Sequence, residues 1–193
     1  MVKKIVFLVI STLFSVSVYA ENNCDRETNH EILSCVKENY VIADNSLNIE
    51  YAKLIKNMSE SDHGDLQSAE RLWISYKEKY CQTAFDATSP GEEAGIDKWI
   101  CLYSVTSSRV RELAYINSEY SATDFYHSIK FIANIYEGGN INQVIEKLAR
   151  QQREKGDDIW NRYVQANCKI TRDKLSEESN VCAARMNFYR DWY

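Results

Sequence analysis

The residues with the clearest chemical potential in this sequence are its six cysteines, which are Cys24, Cys35, Cys81, Cys101, Cys168 and Cys182. An even number of cysteines in an exported chain is typical of a disulfide framework, so three disulfides are expected. Zinc binding is the alternative use of these thiols. It is disfavoured because the chain has no Cys-x2-Cys pair and its three histidines are scattered.

Export is indicated by residues 1–20, which are typical of a signal peptide. Lys3 and Lys4 precede an apolar run from Ile5 to Val18, and Val18 and Ala20 place small residues at the −3 and −1 positions of a cleavage site. The run is too short for a transmembrane helix. We therefore expect cleavage after Ala20 and a soluble, periplasmic or secreted product with no stable membrane insertion.

Two of the cysteines end a motif that occurs twice in the chain. The copies are Trp73-x2-Tyr76-x4-Cys81 followed by Cys101-x7-Arg109, and Trp160-x2-Tyr163-x4-Cys168 followed by Cys182-x7-Arg190. The shared order and spacing indicate a duplicated helix–loop–helix unit with a shorter second copy. Positions i, i+3 and i+8 lie near one face of a helix, so the rings are expected to pack on a neighbouring helix.

The duplication also predicts how the cysteines pair. In the second copy only Cys168 and Cys182 are close in sequence, which favours a Cys168–Cys182 bond. By analogy the first copy forms Cys81–Cys101, and this leaves Cys24–Cys35 to tie the N-terminal segment to the first helix. Sequence does not fix connectivity, so other pairings remain open.

A polar set on the first helix is a further candidate site. Asp44, Asn48 and Tyr51 fall at i, i+4 and i+7 on one face, and Arg109 on a later helix is expected within their reach. A ligand pocket is one interpretation. A structural polar network around a buried ion pair is favoured, because a buried charge must be paired. The repeated Trp and Tyr side chains are likewise expected to be core.

Two acidic segments complete the candidate sites. Asp62-His63-Gly64-Asp65 has metal-ligand residue types, but it is expected in an exposed turn over residues 59–65 without a second cluster. Glu92 and Glu93 lie in an acidic loop predicted over residues 86–97, which holds the only proline. No general-acid partner is evident for them. Because this loop is clamped by Cys81 and Cys101, it loses less entropy on docking, and we take it as the candidate partner-binding loop.

Helices are expected to position all these residues. One proline and six glycines are too few for the many turns of a strand-rich domain, and apolar residues recur at spacings of three and four. The fold class is therefore all-α, a disulfide-stapled antiparallel helical bundle of about six helices. The predicted helices span residues 30–58, 65–85, 98–118, 123–136 with Thr123 as N-cap, 142–168 with a bend at Gly156, and about 179–192. Residues 21–120 form the first domain, and residues 121–193 are a partial repeat packed on it.

The charge balance limits the possible partners. The chain holds 23 basic and 28 acidic residues, and removal of residues 1–20 leaves a net charge of −7. Such a protein is a poor candidate for nucleic-acid binding and suits a basic protein partner, although the charge alone also keeps a protein soluble. No catalytic triad or phosphate-binding glycine loop stands out, so no enzyme and no cofactor are expected.

The segment from Cys24 to Leu113 resembles the lysozyme-inhibitor LprI-like domain family. The matching elements are Cys24-x10-Cys35, Ala43-Asp44-x2-Leu47-Asn48-x2-Tyr51, Leu66-x6-Trp73-x2-Tyr76-x4-Cys81 and Cys101-x4-Thr106-x2-Arg109-x3-Leu113. The family usually has Gln at the position of Glu70 and Arg at that of Lys77. The second copy lacks the Ala-Asp…Leu-Asn…Tyr element altogether.

The resemblance implies an exported helical domain of the bacterial envelope that inhibits lysozyme. Our expectation is a binding protein that occludes a cell-wall hydrolase, with a basic lysozyme-type enzyme as its partner. The alternative is an interaction or immunity-type protein directed against another envelope enzyme or toxin. An enzyme is the least favoured interpretation, and the sequence leaves the oligomeric state open.

Overall fold

Seven helices make up the part of the chain that the computed structural model describes, which is residues 23–118, 121–151 and 158–190, and no strand occurs there. They are α1 (Asn29–Asn57), α2 (Glu60–Thr88), α3 (Ala94–Ile116), α4 (Thr123–Tyr136), α5 (Ile141–Ala149), α6 (Asp158–Leu175) and α7 (Ser179–Tyr189). The predicted all-helical, disulfide-stapled fold is confirmed, with one helix more than expected. The expected signal peptide, the bend at Gly156 and the end of the last helix at Trp192 lie outside the described residues.

The start of α1 follows from its local sequence. The Thr28 side chain accepts a hydrogen bond from the Glu31 backbone N–H at 3.3 Å, and the Glu31 carboxylate accepts one from the Thr28 backbone N–H at 3.3 Å. This reciprocal capping box satisfies two donors that a helix N-terminus otherwise leaves open. Just after this capped end, Cys35 of α1 is bonded to Cys24, which precedes the helix.

The turn predicted over residues 59–65 is wrong, because only Met58 and Ser59 separate α1 from α2. Glu60 and Asp62 lie in the first turn of α2, where negative side chains favour the positive end of the helix dipole. The Ser59 hydroxyl donates to the Asp62 carboxylate at 2.6 Å. The polar composition therefore marks an exposed first helical turn.

The long loop predicted over residues 86–97 is also wrong in extent. α2 continues to Thr88 and α3 begins at Ala94, so the connection comprises only residues 89–93. Within α2, Gln82 donates to Asp86 at 2.9 Å, and the Thr88 hydroxyl donates to Asp97 of α3 at 2.8 Å. These bonds use two acidic side chains that the sequence had suggested were loop residues.

Two further boundaries differ from the predictions. Ala122 is the N-cap of α4 and Thr123 is its first residue, and the Thr123 backbone N–H donates to the Ser121 hydroxyl at 3.1 Å. The single long helix predicted over residues 142–168 is two helices, α5 and α6. Both pack on α7, but α5 otherwise packs on α4 while α6 otherwise packs on α2 and α3.

The order of contacts gives the directions of the helices. α2 runs antiparallel to α3 and to α6, and α6 runs antiparallel to α7, as shown by the residues that meet along each pair. α1 lies alongside α3 in the parallel sense, because Tyr40 meets Trp99 near one end and Asn117 meets Glu50 near the other.

Two hydrophobic clusters form the core. The larger takes buried side chains from α1, α2, α3, α6 and α7, and the smaller joins α4 and α5 to α7 around Phe125 and Phe188. The larger cluster therefore contains side chains from both sides of residue 120. The division into residues 21–120 and 121–193 remains a proposal about the repeated units of the sequence.

Three disulfides fasten these helices. They join Cys24 to Cys35, Cys81 to Cys101 and Cys168 to Cys182, with Cα–Cα distances of 5.6, 5.4 and 5.7 Å. These are the same pairs that the sequence repeat predicts. The second bond closes the α2–α3 hairpin and the third closes the α6–α7 hairpin, so each copy of the repeated unit carries one bond in the same place.

Candidate functional site

Arg109 is the centre of a buried polar network, and only 1% of its surface is exposed. Its Nε donates to Glu70 Oε1 at 2.8 Å, and its Nη2 donates to the same carboxylate. Its Nη1 donates to the Tyr163 hydroxyl at 2.9 Å and to Asn167 Oδ1 at 2.6 Å. One guanidinium group on α3 thus cross-links α2 and α6.

A second buried arginine extends this network to α7. Arg185 is 2% exposed, and it donates to both oxygens of Glu112 and to both oxygens of Glu177. Asn167 joins the two halves, because its Nδ2 donates to Glu112 Oε1 at 2.6 Å. The Tyr115 hydroxyl also donates to Glu177, at 3.1 Å. The network therefore contains two arginines held by three carboxylates.

The electrostatics of this network favour the charged forms of Arg109 and Glu112. Burial alone would lower the pKa of Arg109, but Glu70, Tyr163 and Glu112 together outweigh it and raise that pKa above its ordinary value. Burial would raise the pKa of Glu112, but the charges of Arg185 and Arg109 and the hydrogen bonds from Arg185 and Asn167 together outweigh it and lower that pKa. A general acid or base needs a pKa near the working pH. Both shifts move the pKa values of Arg109 and Glu112 away from the working pH, so the arrangement suits a structural role and not proton transfer.

The polar set predicted around Arg109 is only partly assembled. Asp44 accepts a hydrogen bond from Asn48 at 3.5 Å, and Asn48 is exposed. Burial raises the pKa of Tyr51, while the nearby Arg109 charge opposes this rise. The hydrogen bonds of Arg109 among the described residues go to Glu70, Tyr163 and Asn167, and not to the predicted set.

Sequence reasoning missed those three partners for a physical reason. Tyr163 and Asn167 lie 54 and 58 positions from Arg109, and they meet it only because α6 packs on α2 and α3. The repeated Trp-x2-Tyr-x4-Cys motif was the available signal. It implies that the two copies meet through equivalent faces.

The two copies do make equivalent contacts across their interface. Arg109 of the first copy donates to Tyr163 of the second, and the Arg190 Nε of the second donates to the Tyr76 hydroxyl of the first at 3.2 Å. Between them the rings of Tyr76 and Trp160 pack with centroids 4.7 Å apart. The repeated residues therefore hold the two hairpins together, which agrees with their interpretation as core.

Residues of the Asp62–Asp65 segment contact the neighbouring helices α1 and α6. The His63 ring Nε2 lies 3.0 Å from the Ile55 carbonyl oxygen, and Asp65 accepts a hydrogen bond from Lys169 at 2.5 Å. Over the described ranges, no group of three or more metal-ligating side chains comes together. The segment therefore packs α2 against α1 and α6.

One end of the bundle concentrates exposed negative charge, and we call it the acidic end. α1 and α3 begin there and α2 ends there, and Cys24–Cys35 and Cys81–Cys101 fasten it. Its exposed carboxylates are Asp25, Glu27, Glu31, Asp86, Glu92 and Glu93. The basic side chains at or near this end are Arg26, Lys37 and Lys98.

Glu92 and Glu93 lie on the short connection at the acidic end. Asn29 Nδ2 donates to Glu92 Oε2 at 3.3 Å, which links this connection to the start of α1. Gly91 lies in a tight turn, since a Cβ there would come within 2.7 Å of the Thr88 carbonyl oxygen. A side chain at position 91 would displace the turn. The two carboxylates are thus presented on a short connection bounded by two helices.

These features define a class of protein: a disulfide-stapled helical domain with a paired polar core and a charged, exposed end. Residues 20–113 match the family model described as lysozyme inhibitor LprI. The matched region includes α1, α2 and α3 as far as Leu113, with two of the three disulfides, and it confirms the resemblance for the N-terminal half. A search of curated proteins and a search of solved structures found no match.

The lengths and apolar composition of the described helices show whether any of them could span a membrane. Across residues 23–118, 121–151 and 158–190, none combines the length and apolarity needed to cross a bilayer. The three disulfides fit a protein that folds outside the reducing cytosol.

Proposed function

We propose that this protein is an exported inhibitor that binds a lysozyme or a related cell-wall hydrolase and blocks its cleft. The observation that carries the proposal is the family match over residues 20–113, which includes the whole acidic end. Periplasmic or secreted location follows from the same proposal, because the target acts on the cell wall. No catalytic step is required of the inhibitor.

Charge complementarity supports the acidic end as the contact surface. The acidic end carries six exposed carboxylates, and only three basic side chains lie at or near it. A surface of one sign attracts an oppositely charged partner and raises the rate of association. The two disulfides keep this surface ordered before binding, so little conformational entropy is lost on docking.

The shape of the acidic end determines how it would act. The connection of residues 89–93 is too short to extend deep into a cleft. We therefore infer that the whole end covers the cleft, with Glu92 and Glu93 contacting basic residues at its rim. The sequence suggested instead that a longer loop over residues 86–97 binds the partner.

The test is a cell-wall clearing assay with a basic lysozyme and the oxidised mature protein. Glu92→Lys combined with Glu93→Lys is expected to slow association about tenfold at low salt, because rim charges act mainly on the association rate. The matched control is Asp124→Lys combined with Glu146→Lys, which makes the same charge change on exposed residues of α4 and α5.

The outcomes separate the possibilities. Inhibition by the wild type that is weakened only by the first double variant supports the acidic end as the contact surface. Equal weakening by both variants would mean that net charge, and not this surface, governs binding. No inhibition of any lysozyme would reject the proposed activity and leave the family match as a statement about the fold.

A further inference from the structure

Exposed apolar side chains are concentrated on α4 and the start of α5. Half of the large apolar side chains that the described residues expose lie within this short part of the chain, and they are Tyr126, Phe131, Ile135, Tyr136 and Ile141. Single exposed apolar residues are ordinary on a protein surface, whereas a group of neighbouring ones marks an interaction site. Phe131 and Ile135 are one helical turn apart and Tyr136 follows directly, so these three residues are neighbours, and we call them the α4 face.

The helix that carries this face is apolar on two opposite sides. Phe125, Ile129 and Ala133 recur at a spacing of four and are buried in the smaller hydrophobic cluster. Phe131 and Ile135 have the same spacing but are offset by two positions, which places them on the opposite side of the helix. A helix that is apolar all round is typical of one that is covered all round. In the single chain, Phe131 and Ile135 stay exposed.

The area of the α4 face suits a weak interface. Phe131 is 66% exposed, Ile135 is 53% exposed and Tyr136 is 74% exposed. Because an aromatic side chain has about 150–250 Å² to bury, the two rings alone leave roughly 300 Å² uncovered. A standard stable interface takes about 800 Å² from each partner. The α4 face therefore supplies the apolar centre of an interface near the lower end of this range, which is typical of reversible association.

The charges around the α4 face are balanced. Residues 121–151 contain three acidic and three basic side chains, which are Asp124, Glu137, Glu146, Lys130, Lys147 and Arg150. Lys147 Nζ lies 2.6 Å from Glu137 Oε1, and Arg150 Nη2 lies 3.5 Å from Glu146 Oε2. This neutrality contrasts with the net charge of −7 that remains after removal of residues 1–20. Two copies repel each other through their acidic surfaces, but they approach through this region without that repulsion.

We propose that the α4 face binds the α4 face of a second copy, so that the protein forms a weak, symmetric dimer. A two-fold axis brings the same residues of both copies together, as a closed dimer requires. An antiparallel pair of α4 helices then packs Phe131 against Phe131 and Ile135 of the second copy, where aromatic side chains favour offset or edge-on contacts. A basic hydrolase gains no electrostatic attraction from this neutral region. The α4 face lies outside residues 20–113 and shares no residue with the acidic end.

The experiment is sedimentation equilibrium on the oxidised mature protein alone, so its result does not depend on the proposed inhibition. Concentrations from about 1 µM to about 300 µM cover the range of weak association. We expect the average mass to rise from that of the monomer towards twice that value. A chain that stays monomeric throughout overturns the proposal, including the case in which the α4 face binds a different protein.

A matched pair of variants locates the interface. Ile135→Glu is expected to weaken dimerisation about tenfold or more, because a carboxylate is then buried without a partner. The control is Ile49→Glu, which makes the same change on α1 at a residue that is 51% exposed, and it should dimerise like the wild type. Circular dichroism confirms that both variants are folded. Equal weakening by both variants, or wild-type dimerisation by Ile135→Glu, overturns the proposal.

Mixing two variants tests whether the second copy binds through the same face. Phe131→Glu and Phe131→Lys should each be monomeric, because like charges then meet near the two-fold axis. An equimolar mixture should dimerise again, since opposite charges now face each other across the axis. A mixture of the folded variants that stays monomeric overturns the antiparallel pairing of α4 with itself.

Discussion

Arg109 makes four hydrogen bonds to side chains of α2 and α6, so its replacement tests the network directly. In Arg109→Met the Glu70 carboxylate and Asn167 lose their buried partner. Removing one partner of a buried ion pair costs about 3–5 kcal/mol, because the remaining charge is left uncompensated. The measurement is the free energy of unfolding in urea, with the disulfides intact.

The matched control for this change is Arg162→Met, which removes an exposed arginine from α6. Its effect is expected to stay within about 0.5 kcal/mol, as for other surface substitutions. If Arg109→Met costs no more than this control, the network does not stabilise the fold.

Glu112 gives the network a dependence on pH. The Arg185 charge lowers its pKa in the folded protein despite burial, so its contribution to stability is present above the ordinary carboxyl pKa of about 4.3 and is lost as pH falls through the folded pKa. Glu112→Gln is expected to cost about 1–3 kcal/mol at pH 7. The difference from the wild type should narrow below about pH 4. Urea unfolding at several pH values measures it, and a constant difference down to pH 2.5 would contradict the assignment.

The burial of some residues and the bonding partners of others could be predicted from the sequence, but not both in every case. The burial of Arg109 was predictable, because its motif puts it on the inner face of α3 beside Thr106 and Leu113. Its partners were not, because no local rule relates α3 to a helix more than fifty positions later. The cysteine pairs were predictable for the opposite reason: each joins residues at most 20 positions apart.

At the level of helices, the Cys168–Cys182 bond is expected to stabilise the α6–α7 hairpin. It closes a loop across a sequence separation of 14, and such a loop contributes about 3 kcal/mol in the chain-entropy account. Cys168→Ser combined with Cys182→Ser should lower the free energy of unfolding by this amount. Hydrogen exchange should show the lost protection in α6 and α7.

Removal of Cys24–Cys35 is the matched control, because that bond lies beside α1 and away from α6 and α7. We expect α6 and α7 to keep their protection from exchange in Cys24→Ser combined with Cys35→Ser. Equal loss of protection in both double variants would show that the hairpin does not unfold as a local unit.

The helix boundaries that sequence misplaced share a cause. Polar residues at 59–65 and 86–97 favour turns in isolation, but the same residues suit the exposed ends of helices. There the Ser59–Asp62 and Thr88–Asp97 hydrogen bonds satisfy them. The helix predicted over residues 142–168 divides because its halves pack on different neighbours, and periodicity within one segment carries no information on that choice.

At the scale of the whole molecule, charge is distributed unevenly. Six exposed carboxylates lie at one end of the bundle, while the buried arginines Arg109 and Arg185 are held inside it by three carboxylates, which are Glu70, Glu112 and Glu177. An acidic net charge alone favours solubility and weak attraction to any basic protein. Negative charge that is concentrated on one surface also orients a basic partner, because the attraction then depends on the orientation of the two proteins as well as on their distance.

This distribution predicts how salt affects the proposed inhibition. Raising the ionic strength from 0.1 M to 1 M shortens the screening length from about 10 Å to about 3 Å, so association driven by the acidic end should slow at least tenfold. Dissociation should change much less, since contacts already formed are screened less than charges at a distance. Stopped-flow fluorescence with a basic lysozyme measures both rates.

Because Glu92→Lys with Glu93→Lys removes part of the attraction, its association rate should vary less with salt than that of the wild type. An association rate that does not respond to salt would mean that apolar contacts elsewhere on the molecule, and not the acidic end, bring the partners together.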